Sequence, residues 1–219
     1  MPRALFEKTG NAVWMSHLDL MRLLQRAFKR AGLNLTHTQG FNPRPSVSIA
    51  LPLSVGVESA CELLDFDLDG QDIPCDEICA RLNAALVEGI RILCVYNEGR
   101  KIKHLAFLDC VVTLEYDRGV PLDAVEKLTA LFGRSELIVE KKGKNGIAEQ
   151  NIIPMIRNVA VVCGDAHTLQ LRARVCCQNP TLNPMQLVAA VERYVPECRP
   201  DFAKCSRIEI YDTEENIFR

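Results

Sequence analysis

With 219 residues, the chain is long enough for one large domain or for two small domains of about 100 residues each. Hydrophobic residues make up 48% and charged residues 25%, which excludes a disordered tail or a fibre. The 26 basic and 28 acidic side chains leave a formal net charge of −2, so any surface for nucleic acid has to be local.

Neither a leader peptide nor a membrane segment is indicated. Residues 1–8 lack a basic segment followed by an apolar core, and no later run approaches the roughly 18 apolar residues that cross a bilayer. We therefore expect a soluble, cytoplasmic protein with no membrane partner.

The first half begins with a strand at residues 3–8 and a turn at residues 9–11, followed by a helix at residues 16–32. Ser16 is predicted to cap this helix by accepting a hydrogen bond from the amide of Asp19, and Gly32 ends it. Apolar residues recur along one side at helical spacing. The opposite side is basic and contains Arg22, Arg26, Lys29 and Arg30.

Two strand patterns follow at residues 46–51 and 61–68, joined as a hairpin. A helical pattern at residues 75–87 and a β-rich segment at residues 91–97 complete a βαββαβ unit, the element order of a ferredoxin-like domain. We expect its boundary near residue 100.

A similar order recurs in the second half. Strands are predicted at residues 107–116, 136–141, 159–163, 168–177 and 205–211, with helices at residues 121–132 and 184–194. This is one strand too many for a βαββαβ unit, because residues 136–141 and residues 159–163 could each be its second strand. The sequence thus predicts an α+β fold of two tandem ferredoxin-like halves with antiparallel sheets, at residues 1–103 and 104–219.

Most of the ten cysteines lie inside apolar runs, where a thiol behaves as a small hydrophobic group. The sequence has no CxxC pair and no CxxxCxxC array for a radical-SAM iron–sulfur cluster. Cys75 and Cys79 are one helical turn apart and could hold a metal only with two further ligands. We expect no metal site and no cofactor, and whether these two thiols bind metal stays open.

The segment at residues 36–46 is the most unusual part of the sequence. Pro43 and Pro45 fix the backbone, Gly40 permits a positive φ, and Phe41 lies between them. Together with Arg44 and the basic helix side, this loop offers an aromatic surface flanked by cations, which suits the stacking of bases and the neutralisation of phosphates. The alternative is that the loop only reverses the chain and Phe41 fills the core.

His17 follows the helix cap and is close in sequence to Asp19, so a histidine acid–base group beside a carboxylate is conceivable. The alternative is a histidine that merely orients the capping turn, because spacing identifies no second catalytic group. Walker, GxGxxG, GxSxG and HExxH motifs are absent from the sequence.

Four motifs in the first 70 residues carry a family resemblance. They are FxKxG at 6–10, SHLDLMR at 16–22, QGFNPRP at 39–45 and LPLxxGVES at 51–59. These motifs closely resemble those of the DUF2344, or radical SAM-linked, protein family. Members of that family are encoded beside a B12-binding radical SAM protein or fused to its C-terminus, so the resemblance implies a partner and transfers no catalytic residue.

The leading hypothesis is a non-catalytic accessory module of a B12-binding radical SAM protein that binds RNA or presents RNA to it. The candidate binding residues are Ser16, His17, Asp19, Arg22, Arg26, Gln39, Gly40, Phe41, Asn42, Pro43 and Arg44. We expect residues 16–22 and 39–45 to form one rigid, cationic face. One rival is a metal-independent RNA endonuclease with His17 as general base and Arg22 or Arg44 on the phosphate. Another is a scaffold protein with no nucleic-acid role.

Overall fold

The computed structural model describes residues 2–70, 72–143 and 146–219, without the side chains of residues 142 and 143. The chain forms two compact units, of which the first runs up to His104 and also includes Arg219, and the second comprises Leu105–Phe218. The described residues form a mixed α+β structure with antiparallel strand pairs and four α-helices. The predicted fold class is confirmed at this level.

The first unit has four strands and two helices, and one of its strands is only three residues long. Its elements are β1 (Arg3–Lys8), α1 (His17–Arg30), β2 (Val47–Ile49), β3 (Val57–Phe66), α2 (Cys75–Ala85) and β4 (Ile90–Tyr96). The strands lie in the order β4-β1-β3-β2, and all three pairings are antiparallel. Both helices contribute buried side chains to one apolar core with the strands.

The spacing of the apolar residues in α1 explains which side of the helix packs into the core. Leu20, Leu24 and Phe28 recur every four residues and are almost completely buried, so they stack along one side of the helix. The Phe28 ring meets Phe66 of β3 with 4.9 Å between ring centroids. The opposite, polar side of α1 is therefore left facing solvent.

The second unit contains the remaining elements. They are β5 (Leu105–Glu115), α3 (Ala124–Phe132), β6 (Ile138–Gly143), β7 (Gly146–Asn151), β8 (Ile156–Asp165), β9 (Thr168–Cys176), α4 (Met185–Tyr194) and β10 (Phe202–Asp212). Strands β10, β5, β9 and β8 form an antiparallel sheet in that order. Strands β6 and β7 form a separate hairpin.

The two segments that could each be the second strand of this half are paired differently. Residues 156–165 pair with β9 in the sheet, whereas residues 138–143 pair only with β7. Strand β7 was not predicted, because its residues are mostly exposed and show no apolar alternation. Residues 144 and 145, between β6 and β7, lie outside the described residues.

The cysteines pack largely as hydrophobic groups. Six of the ten are buried, and burial raises the pKa of Cys177 to about 12. The Cys79 thiol donates to the carbonyl of Ile92 at 3.6 Å. Within the described ranges, no group of three or more His, Cys, Asp or Glu side chains could hold a metal ion. Nor do these ranges contain a helix that is both long and apolar enough to cross a membrane.

Replacing Tyr116 by phenylalanine should destabilise the second unit by about 1–2 kcal/mol at neutral pH. The buried Tyr116 hydroxyl donates to the carbonyl of Cys198 at 2.9 Å, and the variant leaves that oxygen without this donor. Burial raises the pKa of Tyr116 from 10.0 to about 12. Because its pKa is raised in the folded state, Tyr116 contributes stability to the wild type that is fully present below pH 10 and is lost as the pH rises through 12. The difference in unfolding free energy between the wild type and Tyr116→Phe should therefore shrink over that range. Urea unfolding of both proteins at pH 7 and pH 11 measures it, and equal stability at pH 7 would contradict the prediction.

Candidate nucleic-acid interface

The N-terminal turn of α1 is fixed by its own side chains. Ser16 accepts a hydrogen bond from the amide of Asp19 at 3.2 Å, as the sequence predicts. The Ser16 hydroxyl also lies 2.7 Å from the Asp19 carboxylate, and Arg22 bonds to that carboxylate at 3.3 Å. The three side chains form one short network at the start of the helix.

A buried lysine holds the chain that leads into this turn. The ammonium of Lys8, at the end of β1, donates to the carbonyls of Val13 and Met15 at 3.1 and 3.0 Å. Burial lowers the pKa of Lys8, and the nearby buried carboxylate of Glu62 opposes that shift. Lys8 was not among the predicted site residues, although it belongs to the FxKxG motif.

His17 is half-buried at the first position of α1. It makes no hydrogen bond or ion pair with any residue that the structure describes, and the Asp19 carboxylate is engaged by Ser16 and Arg22. The pairing of histidine with carboxylate that an endonuclease base would use is therefore not formed here. Trp14, three residues before His17, and Leu18, directly after it, are exposed.

The segment after α1 closes on itself as a narrow loop. The Thr38 amide donates to the carbonyl of Arg44 at 2.9 Å, and the Arg44 amide returns a bond to the Thr38 hydroxyl at 3.0 Å. At its base, the Ser46 amide donates to the Thr36 carbonyl at 2.7 Å. These bonds define the structure that we call the Phe41 loop, residues 38–44.

Phe41 is fully exposed at the tip of the Phe41 loop. The alternative that this ring fills the core is therefore wrong. Gly40 has a φ of +138°, which a residue with a side chain rarely adopts. The remaining candidates of the loop, Gln39, Asn42, Pro43 and Arg44, are exposed as well.

A groove of about 660 Å³ lies along the polar side of α1, and we call it the α1 groove. It is lined by Arg22, Gln25, Arg26, Phe28, Lys29, Leu33, Asn34, Leu35, His37, Pro45 and Asp69. Of its apolar lining residues, Phe28 and Leu33 are almost completely buried, whereas Leu35 and Pro45 are half-buried. The polar lining residues Arg26, Lys29, His37 and Asp69 are exposed. This volume is in the range of small-molecule sites.

The α1 groove carries an excess of positive charge. Three of its lining residues, Arg22, Arg26 and Lys29, are cationic, and Asp69 is its one acidic residue among those described. Arg22 is paired with Asp19, but Arg26 and Lys29 form no ion pair with any described residue. Their charges are therefore available to an anion from solution.

The predicted site residues are only partly brought together. Arg22 and Arg26 line the α1 groove together with Pro45, which follows the Phe41 loop. Ser16, His17 and Asp19 are not among its lining residues, and neither are residues 39–44. Sequence reasoning missed His37 and Asp69, which no motif or helical spacing connects with α1.

The model of the DUF2344 family, described as "Uncharacterized protein conserved in bacteria", matches residues 2–184. No curated protein matches the sequence significantly.

A solved Cbf5–Nop10–Gar1 complex aligns with a TM-score of 0.49 at 10% identity, over 95% of this chain and 48% of that one. An archaeal box H/ACA sRNP Nop10–Cbf5 complex gives 0.46 at 10% identity, over 94% and 46%. An unknown protein from Galdieria sulphuraria gives 0.26 at 13% identity, over 94% and 96%. The chain thus spans about half the length of the first two, and likenesses this distant carry no argument about function.

Proposed function

The chain belongs to the DUF2344 family of bacterial proteins, and we propose that it is a non-catalytic accessory module that binds single-stranded RNA in the α1 groove. On this proposal it presents the RNA to a B12-binding radical SAM protein. The observation that carries the proposal is the groove itself, where the half-buried Leu35 and Pro45 lie beside Arg26 and Lys29, whose charges no described residue neutralises.

The groove suits the two chemically different parts of a nucleotide. Cations at an exposed rim can neutralise phosphates, which supplies most of the sequence-independent affinity for nucleic acid. The half-buried apolar side chains of Leu35 and Pro45 can pack against the flat face of a base, which in a single strand is free of its pairing partner.

The Phe41 loop adds a stacking platform. The Phe41 ring is fully exposed, and the hydrogen bonds of Thr38 and Arg44 hold the loop that carries it, so a base can stack on it without displacing another side chain. Because every base has an aromatic face, such a ring binds single strands with little sequence preference.

Replacing Phe41 by alanine should weaken the binding of a fluorescent single-stranded RNA by roughly 5- to 100-fold, because one base loses its stacking partner. The fold should be unaffected, since the ring is fully exposed. Fluorescence anisotropy measures the binding. The control is Phe202→Ala, which removes an exposed phenylalanine of the second unit. Equal affinities of the two variants would contradict a role for Phe41.

The same RNA distinguishes the rival functions. Cleavage by the wild type that is lost in His17→Ala would make the chain an endonuclease. An RNA that is neither bound nor cut by any of these proteins would favour a scaffold without a nucleic-acid role.

We also propose that each compact unit is a ferredoxin-like half. In the first unit, support comes from the element order βαββαβ and the strand order β4-β1-β3-β2. In the second unit, the order β10-β5-β9-β8 repeats that arrangement once the β6–β7 hairpin is treated as an insertion. The first half would occupy residues 1–103 and the second residues 104–219.

The proposed radical SAM partner rests on the family resemblance and on the missing cluster motif. This chain has no CxxxCxxC array, so the iron–sulfur and B12 chemistry would belong to the partner. Co-expression with a B12-binding radical SAM protein from the same genome should recover both proteins when one is tagged. Recovery of the tagged chain alone, with both proteins present in the lysate, would contradict the partnership.

A further inference from the structure

One carboxylate lies in the otherwise cationic α1 groove. Asp69 follows β3, and its amide donates to the carbonyl of Asn34 at 2.8 Å. Leu35 and Leu68 form a β-bridge beside it. The backbone that carries Asp69 is therefore tied to the segment that leaves α1, on the wall of the groove.

The Asp69 side chain is not used to neutralise the cations around it. Asp69 is exposed, and its carboxylate forms no ion pair or hydrogen bond with any described residue, including Arg26 and Lys29. A carboxylate beside a phosphate is repulsive, so a groove that bound only the RNA backbone would be better without it. The carboxylate can contribute favourably when it accepts hydrogen bonds from a base.

We infer that the α1 groove selects guanine, with the Asp69 carboxylate accepting hydrogen bonds from N1–H and the N2 amino group. This inference rests on the proposed RNA-binding function. An ionised carboxylate only accepts hydrogen bonds, and its two oxygens match two donors side by side. Among the four RNA bases, only guanine presents two adjacent donors on its Watson–Crick edge.

The other bases fit this acceptor less well. Adenine and cytosine each place a ring nitrogen acceptor next to their amino donor, and uracil flanks its single N–H with two carbonyl oxygens. One oxygen of Asp69 would then face an acceptor, which is repulsive in each case. Arg26 and Lys29 remain on the rim of the same groove to neutralise the flanking phosphates.

The test uses three uridine pentamers that differ only in the central base, which is guanine, inosine or adenine. Inosine keeps N1–H but lacks the N2 amino group. The wild type should bind the guanine pentamer about tenfold more tightly than the adenine pentamer, with inosine in between. Asp69→Asn should lose most of this preference and bind the adenine pentamer more tightly than the wild type does, since a negative charge is gone.

Asp117→Asn is the matched control, because it removes an exposed carboxylate outside the groove and should keep the preference for guanine. Equal wild-type affinities for the three pentamers would overturn the guanine inference and leave RNA binding intact. A preference that persists in Asp69→Asn would overturn the role of Asp69. If the wild type binds none of the pentamers, the proposed function itself fails.

Discussion

Replacing Arg26 and Lys29 together by glutamate is expected to weaken single-stranded RNA binding by about 100-fold or more in low salt. Each substitution removes a cation from the α1 groove and adds an anion, and charge-assisted contacts to phosphate are the strongest polar contacts that the groove can make. Anisotropy titrations between 50 and 200 mM salt, concentrations at which such contacts are known to weaken, measure the effect. The stability should fall by about 1 kcal/mol or less, because neither side chain has an ion-pair partner among the described residues and only Lys29 lies in the last turn of α1, where a cation favours the helix dipole.

The matched control is Lys103→Glu with Arg118→Glu. Both residues are exposed and lie outside the groove, so this variant carries the same net charge as the first. The plot of log affinity against log salt should be less steep by about 1.4 in the groove variant than in the wild type, for two lost phosphate contacts. If both variants lose the same affinity, the RNA responds to net charge and the groove is not its binding site.

Replacing Lys8 by methionine is expected to lower the free energy of unfolding by about 3–5 kcal/mol, because two hydrogen bonds from a charged donor are lost. Methionine fills a similar volume but cannot donate to the carbonyls of Val13 and Met15, and it leaves the buried carboxylate of Glu62 without the lysine charge. Buried carbonyls that lose a charged donor are costly. Urea unfolding measures the loss.

Trp14 allows the effect of this substitution to be measured at the turn that Lys8 holds. It is the one tryptophan of the sequence and lies between the two carbonyls that Lys8 holds, so intrinsic fluorescence reports directly on this turn. The native-state emission should change in Lys8→Met, whereas Lys101→Met, at an exposed position, should leave both emission and stability unchanged. A Lys8→Met protein as stable as the wild type would show that the two hydrogen bonds contribute nothing.

Several local features could be predicted because neighbouring residues decide them. The Ser16 cap depends on a hydroxyl and an amide three residues apart, and the buried side of α1 follows from helical spacing. The family was predicted from motifs in the first 70 residues, and the match over residues 2–184 confirms it.

Other features needed contacts between distant residues. Strand β7 has no apolar alternation and exists because β6 pairs with it. Whether residues 136–141 or 159–163 joined the sheet depended on which segment β9 could pair with, and both had strand-like sequences. The exposure of Phe41 depended on the hydrogen bonds that close its loop, which periodicity does not reveal.

The sequence by itself determined the α+β class, the capped basic helix and the family, because each depends on residues close together in the chain. Only the tertiary structure decided what the basic helix faces. Asp69 lies 40 or more residues from Arg26 and Lys29, and it reaches their groove because β3 returns the chain beside the end of α1. A site whose residues are brought together by strand pairing cannot be predicted from local spacing, because the whole sheet determines which strands pair.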